Sequence, residues 1–107
     1  MNAKEFVACW KREKEQLLEA FVDASRETLG SQKIASLGIR ADPMPVIREI
    51  IDGVLTDTFY TLLLGLDGAA SLGGIQQEYE IHDESGNRIF EPGELESEAY
   101  EQFHGGS

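Results

Sequence analysis

Apolar residues recur through the first quarter of the chain at Phe6, Val7, Trp10, Leu17, Leu18, Phe21, Val22 and Leu29. Steps of three, four and seven match a helical repeat and predict a long amphipathic helix over residues 3–29. Asn2 is placed to cap it, with Glu5 at the third helical position completing a capping box. Gly30 is placed to close it. The apolar stripe has a gap at Glu13 and Lys14, inside the polar run from Lys11 to Gln16. Two readings follow. Either the helix is solvated where it bows away from the core, or the early cluster of Phe6, Val7 and Trp10 overhangs the core and meets a second copy or another partner.

Residues 30–42 read as a connector. Ser31 can cap a single helical turn carrying Ile34 and Leu37, with Gly38 ending it and Ile39 helping to tether it. The stretch from Asp42 to Gly68 is the most apolar of the chain and reads as the central helix. Asp42 suits the N-cap and Pro43 the first helical position. Val46, Ile47, Ile50, Ile51, Val54, Leu55, Phe59, Leu62, Leu63 and Leu66 form a wide apolar face. Arg48, Glu49, Asp52, Thr56 and Asp57 form the polar one. The apolar face widens toward the C-terminal end, which is therefore predicted to be the more buried. Gly53 costs about 1 kcal/mol of helix propensity relative to alanine, and close approach of the first helix would explain it. Gly65 reads as the end of the helix and Asp67-Gly68 as a turn.

Beyond Gly68 the period changes. Ile75, Tyr79 and Ile81 alternate with Glu78, Glu80 and His82, which predicts a half-buried strand. Glu84 to Asn87 reads as a turn and Arg88 to Phe90 as a short returning strand, together a β-hairpin. A lone hairpin is marginal in water, so Tyr79 and Ile81 should rest on the helices. Glu94 to Phe103 follows as a short acidic helix with Leu95, Ala99 and Phe103 inward. The expected fold is α+β: two long antiparallel helices with a C-terminal β-hairpin packed on them and a short C-terminal helix. It forms one compact domain over residues 1–103, with 104–107 as a disordered tail.

Charge narrows the function classes. Twenty acidic residues against nine basic give a formal net charge of −11. This disfavours nucleic acid, whose affinity depends on neutralising phosphates, and anionic membrane surfaces. It allows a basic protein partner, steered by charge, although solubility alone also accounts for an acidic surface. Cys9 is the only cysteine, so no internal disulfide forms, as suits a reducing cytoplasm. The opening residues lack the apolar segment of a signal peptide, and the uncharged run from Thr58 to Leu66 is far too short to span a membrane. The expectation is a cytoplasmic protein.

Candidate chemistry is sparse. Asp83, Ser85, Asn87, Glu91 and Glu94 have calcium-loop spacing, but Arg88 stands where that loop needs glycine, and turn chemistry explains Asp83, Ser85 and Asn87. His82 and His104 lack partners at metal-ligand spacing. Cys9 reads as a half-buried small hydrophobe. Asp52 and Asp57 diverge around their helix, and Asp67 reads as bonded to its own turn. No phosphate-binding glycine pattern is present. No catalytic residue, metal ligand or cofactor site is therefore assigned. The partner-binding candidates are Phe6 and Trp10 on the first helix, and Glu78, Glu80, His82, Glu84, Glu94 and Glu98 on the hairpin and C-terminal segment. Charge on exposed strands also serves to block edge pairing. The alternative is a small-ligand or enzyme-subunit site near Asp67 to Gly74.

The segments Thr61 to Gly68 (TLLLGLDG) and Tyr79 to Ile89 (YEIHDESGNRI), followed by an acidic C-terminal segment, carry a resemblance. Over its last two thirds the chain resembles small uncharacterised acidic bacterial domains with the order helix, helix, Leu-Asp-Gly turn, β-hairpin. Some compact acidic chains of this kind are immunity proteins that inhibit secreted toxins. The resemblance implies protein binding, through an acidic surface, and transfers no functional residue.

Overall fold

Asn2 starts the first helix as its spacing to Glu5 predicts. The Asn2 side chain accepts from the Glu5 N–H at 2.9 Å, and the Glu5 carboxylate accepts from the Asn2 N–H at 3.3 Å. The structure, a computed structural model, describes residues 1–23, 28–38 and 43–105. Helix α1 spans Ala3–Val22, α2 Leu29–Ser36, α3 Met44–Leu66 and α4 Glu94–His104. The long first helix expected over 3–29 is thus two helices. α1 stops at Asp23, whose backbone is extended. Thr28 then opens α2 through its own capping box with Ser31, each side chain accepting from the other's N–H. Gly30 lies in the first turn of α2 and does not close α1. A Cβ there would stand 3.2 Å from the Phe21 ring, so glycine lets α2 press onto α1.

The proposed N-cap Asp42 and the tether Ile39 lie outside the described residues. Pro43 stands at the N-cap position of α3 without a side-chain hydrogen bond. Gly65 does not end this helix. It is buried inside the last turn, where Leu72 folds back to within 2.5 Å of the site a Cβ would take. The exit comes at Gly68, which adopts φ +80°. Its N–H donates to Gly65 O and that of Ala69 to Leu64 O, closing the helix with a Schellman motif.

Among the described residues there is no β-strand, and the chain is all-helical. This corrects the α+β expectation. The hairpin's turn exists: Asp83 N–H donates to Asn87 O and Ile89 N–H to Ile81 O, both at 2.9 Å. Pairing stops at one bridge, between His82 and Arg88. The alternation that suggested a strand fails because Ile75 stays 63% exposed, and Gln76 is tied sideways to Gly68 O through its side chain. A half-buried strand needs the whole apolar row on one packed face. Here only Ile81 and the returning Ile89 and Phe90 reach the core.

That core lies at one end of the molecule. Ala3 and Val7 of α1, Leu63 of α3, Leu95 and Ala99 of α4, and Ile89 and Phe90 of the 69–93 segment form a single buried cluster. α1, α3 and α4 each touch the other two, whereas α2 packs on α1 alone. The C-terminal end of α3 is the buried end, as its widening apolar face predicts. α4 continues to His104, whose ring stands edge-on to Tyr60 at 4.5 Å. Residues 106–107 lie outside the described residues. No helix among those described is long and apolar enough to cross a membrane.

Candidate functional site

On α1, Phe6, Cys9, Trp10 and Glu13 are separated by three, one and three residues, which places them on one helical face. Phe59 of α3 stands across from them. Together they line an open groove of about 430 Å³. Trp10 is held edge-on by two rings, Phe6 at 6.1 Å and Phe59 at 5.6 Å. Such edge-to-face pairs fix ring orientation beyond simple burial. Beneath the groove, Val7 and Leu63 are wholly buried and hold α1 to α3.

One turn beyond Trp10, Lys14 closes the α1–α3 seam. Its side chain is only 7% exposed, and its ammonium lies 2.7 Å from Asp52 and 3.3 Å from Glu15. Burial pulls its pKa down, but the hydrogen bonds to Asp52 and Glu15 outweigh that and the net shift is upward. The gap in the apolar stripe is thus solvated at Glu13, while at Lys14 the lysine stem fills the seam and Asp52 of α3 neutralises its head. Further along the seam Arg48 pairs with Glu19 on the surface, a bond that holds the Glu19 carboxyl below its usual range.

The candidates from sequence fall in separate places. Phe6 and Trp10 line the groove, half-buried. Val7 is interior to the core, so it offers nothing to a second copy. Glu94 and Glu98 share a shallow cleft of about 280 Å³ with Asn2, Ala3, Lys4 and Ser97. Glu94 there accepts from the Glu91 N–H at 2.6 Å, and Glu98 from the Gln102 amide at 3.2 Å. Glu78, Glu80, His82 and Glu84 sit exposed on the 69–93 segment, where Arg88 pairs with Glu80 at 3.6 Å and with Glu91 at 3.5 Å.

Asp67 has a different task from the one its turn suggested. It is 5% exposed, and its carboxylate accepts from the N–H groups of Gly93 and Glu96, both at 2.8 Å. It caps α4 from 26 residues away. Gly93, the N-cap residue, has no side chain to do so. Each carboxylate oxygen thus accepts one N–H of the first turn of α4. Asp83 is similarly committed: Oδ1 accepts from Ser85 and Asn87 N–H, each at 3.0 Å. The Asn87 N–H, with that of Ser85 adding to it, holds the Asp83 carboxyl below its usual range.

Cys9, Glu13 and Phe59 are the groove residues that sequence reasoning passed over as binding elements. A signal for Phe59 existed in its four-residue step to Leu63, which places an aromatic ring on the same face one turn before that leucine. Among the described residues no group of three or more His, Cys, Asp or Glu is placed to hold a metal ion. Comparison of the chain with protein-family models, curated proteins and solved structures finds no match.

Proposed function

We propose that this chain is a non-enzymatic, cytoplasmic protein-binding module that engages a basic partner through the Phe6–Trp10–Phe59 groove. The observation that carries the reading is the groove itself: two aromatic walls around an oriented indole, with Glu13 at the rim. A lysine or arginine of the partner can lay its stem along Trp10 and Phe59 and direct its head to Glu13. Contact of the cation with the indole face adds to that attraction. Trp is the residue type most enriched at binding hot spots. The net charge of −11 favours encounter with a basic surface. An immunity-type inhibitor of a basic toxin is one protein of this class. The polar side chains with buried or well-made contacts (Asp67, Asp83, Lys14) are all occupied in holding the fold, which supports binding over catalysis.

The test uses Trp10 emission, with Trp10 the only tryptophan, titrated with a Lys/Leu peptide and a Glu/Leu control. The basic peptide should shift the emission saturably and the acidic one should not. Glu13→Lys should weaken binding roughly tenfold, the equivalent of about 1.4 kcal/mol, while Glu84→Lys, the same charge change on the 69–93 segment, should have little effect. Equal loss from both variants would reduce the effect to bulk charge and remove the groove from the account.

A further inference from the structure

The N-terminal half of α3 carries an apolar face that is largely exposed among the described residues. Val46, Ile50 and Val54 are 56%, 60% and 58% exposed. Spaced by four, they follow one side of the helix. Gly53 lies beside them with no atom within 4 Å of the position a Cβ would take. Close approach of α1 therefore does not explain this glycine, although it is the poorest helix former after proline. The whole chain is also over-exposed. Its accessible surface is 6962 Å², against about 5,900 Å² for a compact monomer of 11.8 kDa. Its radius of gyration is 16.3 Å, against about 13 Å for this length. The exposed side chains of Val46, Ile50 and Val54 are part of that excess.

We propose that this face is the interface of a homodimer, in which two copies pack α3 antiparallel on α3 about a two-fold axis at Ile50. The spacing is what selects a second copy. Val46-x-x-x-Ile50-x-x-x-Val54 reads the same in both directions. A two-fold therefore sets Ile50 on its own mate and Val46 on Val54 of the other copy, as an isologous interface requires. Gly53, next to the axis, lets the two backbones approach closely. Charge agrees at the ends. Among the described residues α3 has no side-chain cap and no acidic residue in its first turn. Asp57 and Pro43 lie seven residues either side of Ile50, so the two-fold brings Asp57 of each copy to the N-terminus of the other's α3, where a carboxylate is favoured. The centre of the face carries no charge, and the acidic surface elsewhere opposes association. Salt therefore strengthens this dimer by screening that repulsion, the opposite of its effect on a basic partner in the groove. The inference is independent of the groove.

Sedimentation equilibrium over a wide concentration range tests it. The wild type should show a monomer–dimer equilibrium that tightens with salt. Ile50→Arg should be monomeric with unchanged helical circular dichroism, while Trp10→Ala should still dimerise. Gly53→Ala should raise the melting temperature of the dilute monomer yet weaken the dimer. For register, Ile50→Cys in a Cys9→Ala background should oxidise to a linked dimer. Val46→Cys or Val54→Cys should link only when the two variants are mixed. A wild type that stays monomeric throughout overturns the proposal, as does a dimer that survives Ile50→Arg. Loss of the dimer in Trp10→Ala alone would move the interface to the aromatic groove.

Discussion

At Leu63, α3 is wholly out of water; thirteen residues earlier, at Ile50, it is 60% exposed. Both are branched aliphatic side chains on one continuous helix. What differs is the number of neighbours. Around Leu63, α1 and α4 close a triangle and Ile89 and Phe90 fill its edge. Toward Ile50, among the described helices, α1 runs alongside, and α2 packs on α1 without touching α3. A helix that is apolar on most sides needs partners on most sides. α3 has them at one end and lacks them at the other. The comparison teaches that the fold-holding and surface-forming parts of this protein are successive lengths of one element.

The comparison is tested most severely by equal truncations at the two ends, measured on the dilute monomer. Leu63→Ala should cost about 3 kcal/mol, in the range of buried leucine truncations. Ile50→Ala should stay within about 0.5 kcal/mol, as for an exposed position. Similar losses in urea denaturation would show that the two ends are packed alike. A middle-sized effect is expected at Asp67. Asp67→Ala removes the cap of α4 and leaves two N–H groups at the packed end without their acceptor, at a cost of about 2 kcal/mol. Denaturation with amide exchange at Gly93 and Glu96 as the local readout measures this.

The smallest effect is a pH dependence at Asp83. Its folded pKa is depressed, mainly by the Asn87 N–H. The stability it contributes is present above the ordinary aspartate value of ~3.9 and is lost as pH falls through the lower folded value. Carboxyl carbon shifts followed by NMR should place the Asp83 midpoint below that ordinary value. An ordinary midpoint would mean that the 83–87 turn is not held by its carboxylate.

Local signals were the legible ones. The Asn2–Glu5 capping box, the exit of α3 near Gly68, the closing of α2 by Gly38 and the inward Leu95 and Ala99 of α4 each depend on residues within a few positions of one another. The break between α1 and α2 was local too, in the Thr28–Ser31 box, but the run of apolar residues through Leu29 concealed it. Leu29 itself is 86% exposed. Lys14 was misread because its burial depends on Asp52, 38 residues away. The strand prediction failed because alternation records which residues could face a core, while burial depends on where the chain is tied, here at Gln76 and Gly68. For the groove, Phe6 and Trp10 were legible as an aromatic cluster at helical spacing. Its second wall, Phe59, required knowing how α3 crosses α1.

Asp67 has a further consequence for the order in which the molecule assembles. An isolated helix of eleven residues is marginal in water. α4 also lacks a capping side chain at Gly93, and its surrogate lies across a 26-residue separation whose closure carries an entropic cost of about 3 kcal/mol. α4 is thus conditional on the rest of the chain. Its first turn gains an acceptor only once α3 has formed to its last turn and the intervening segment has returned. The capped first turn of α4 therefore forms together with the end of α3 and not on its own. The carboxylate that ends one helix sets when the last one can exist.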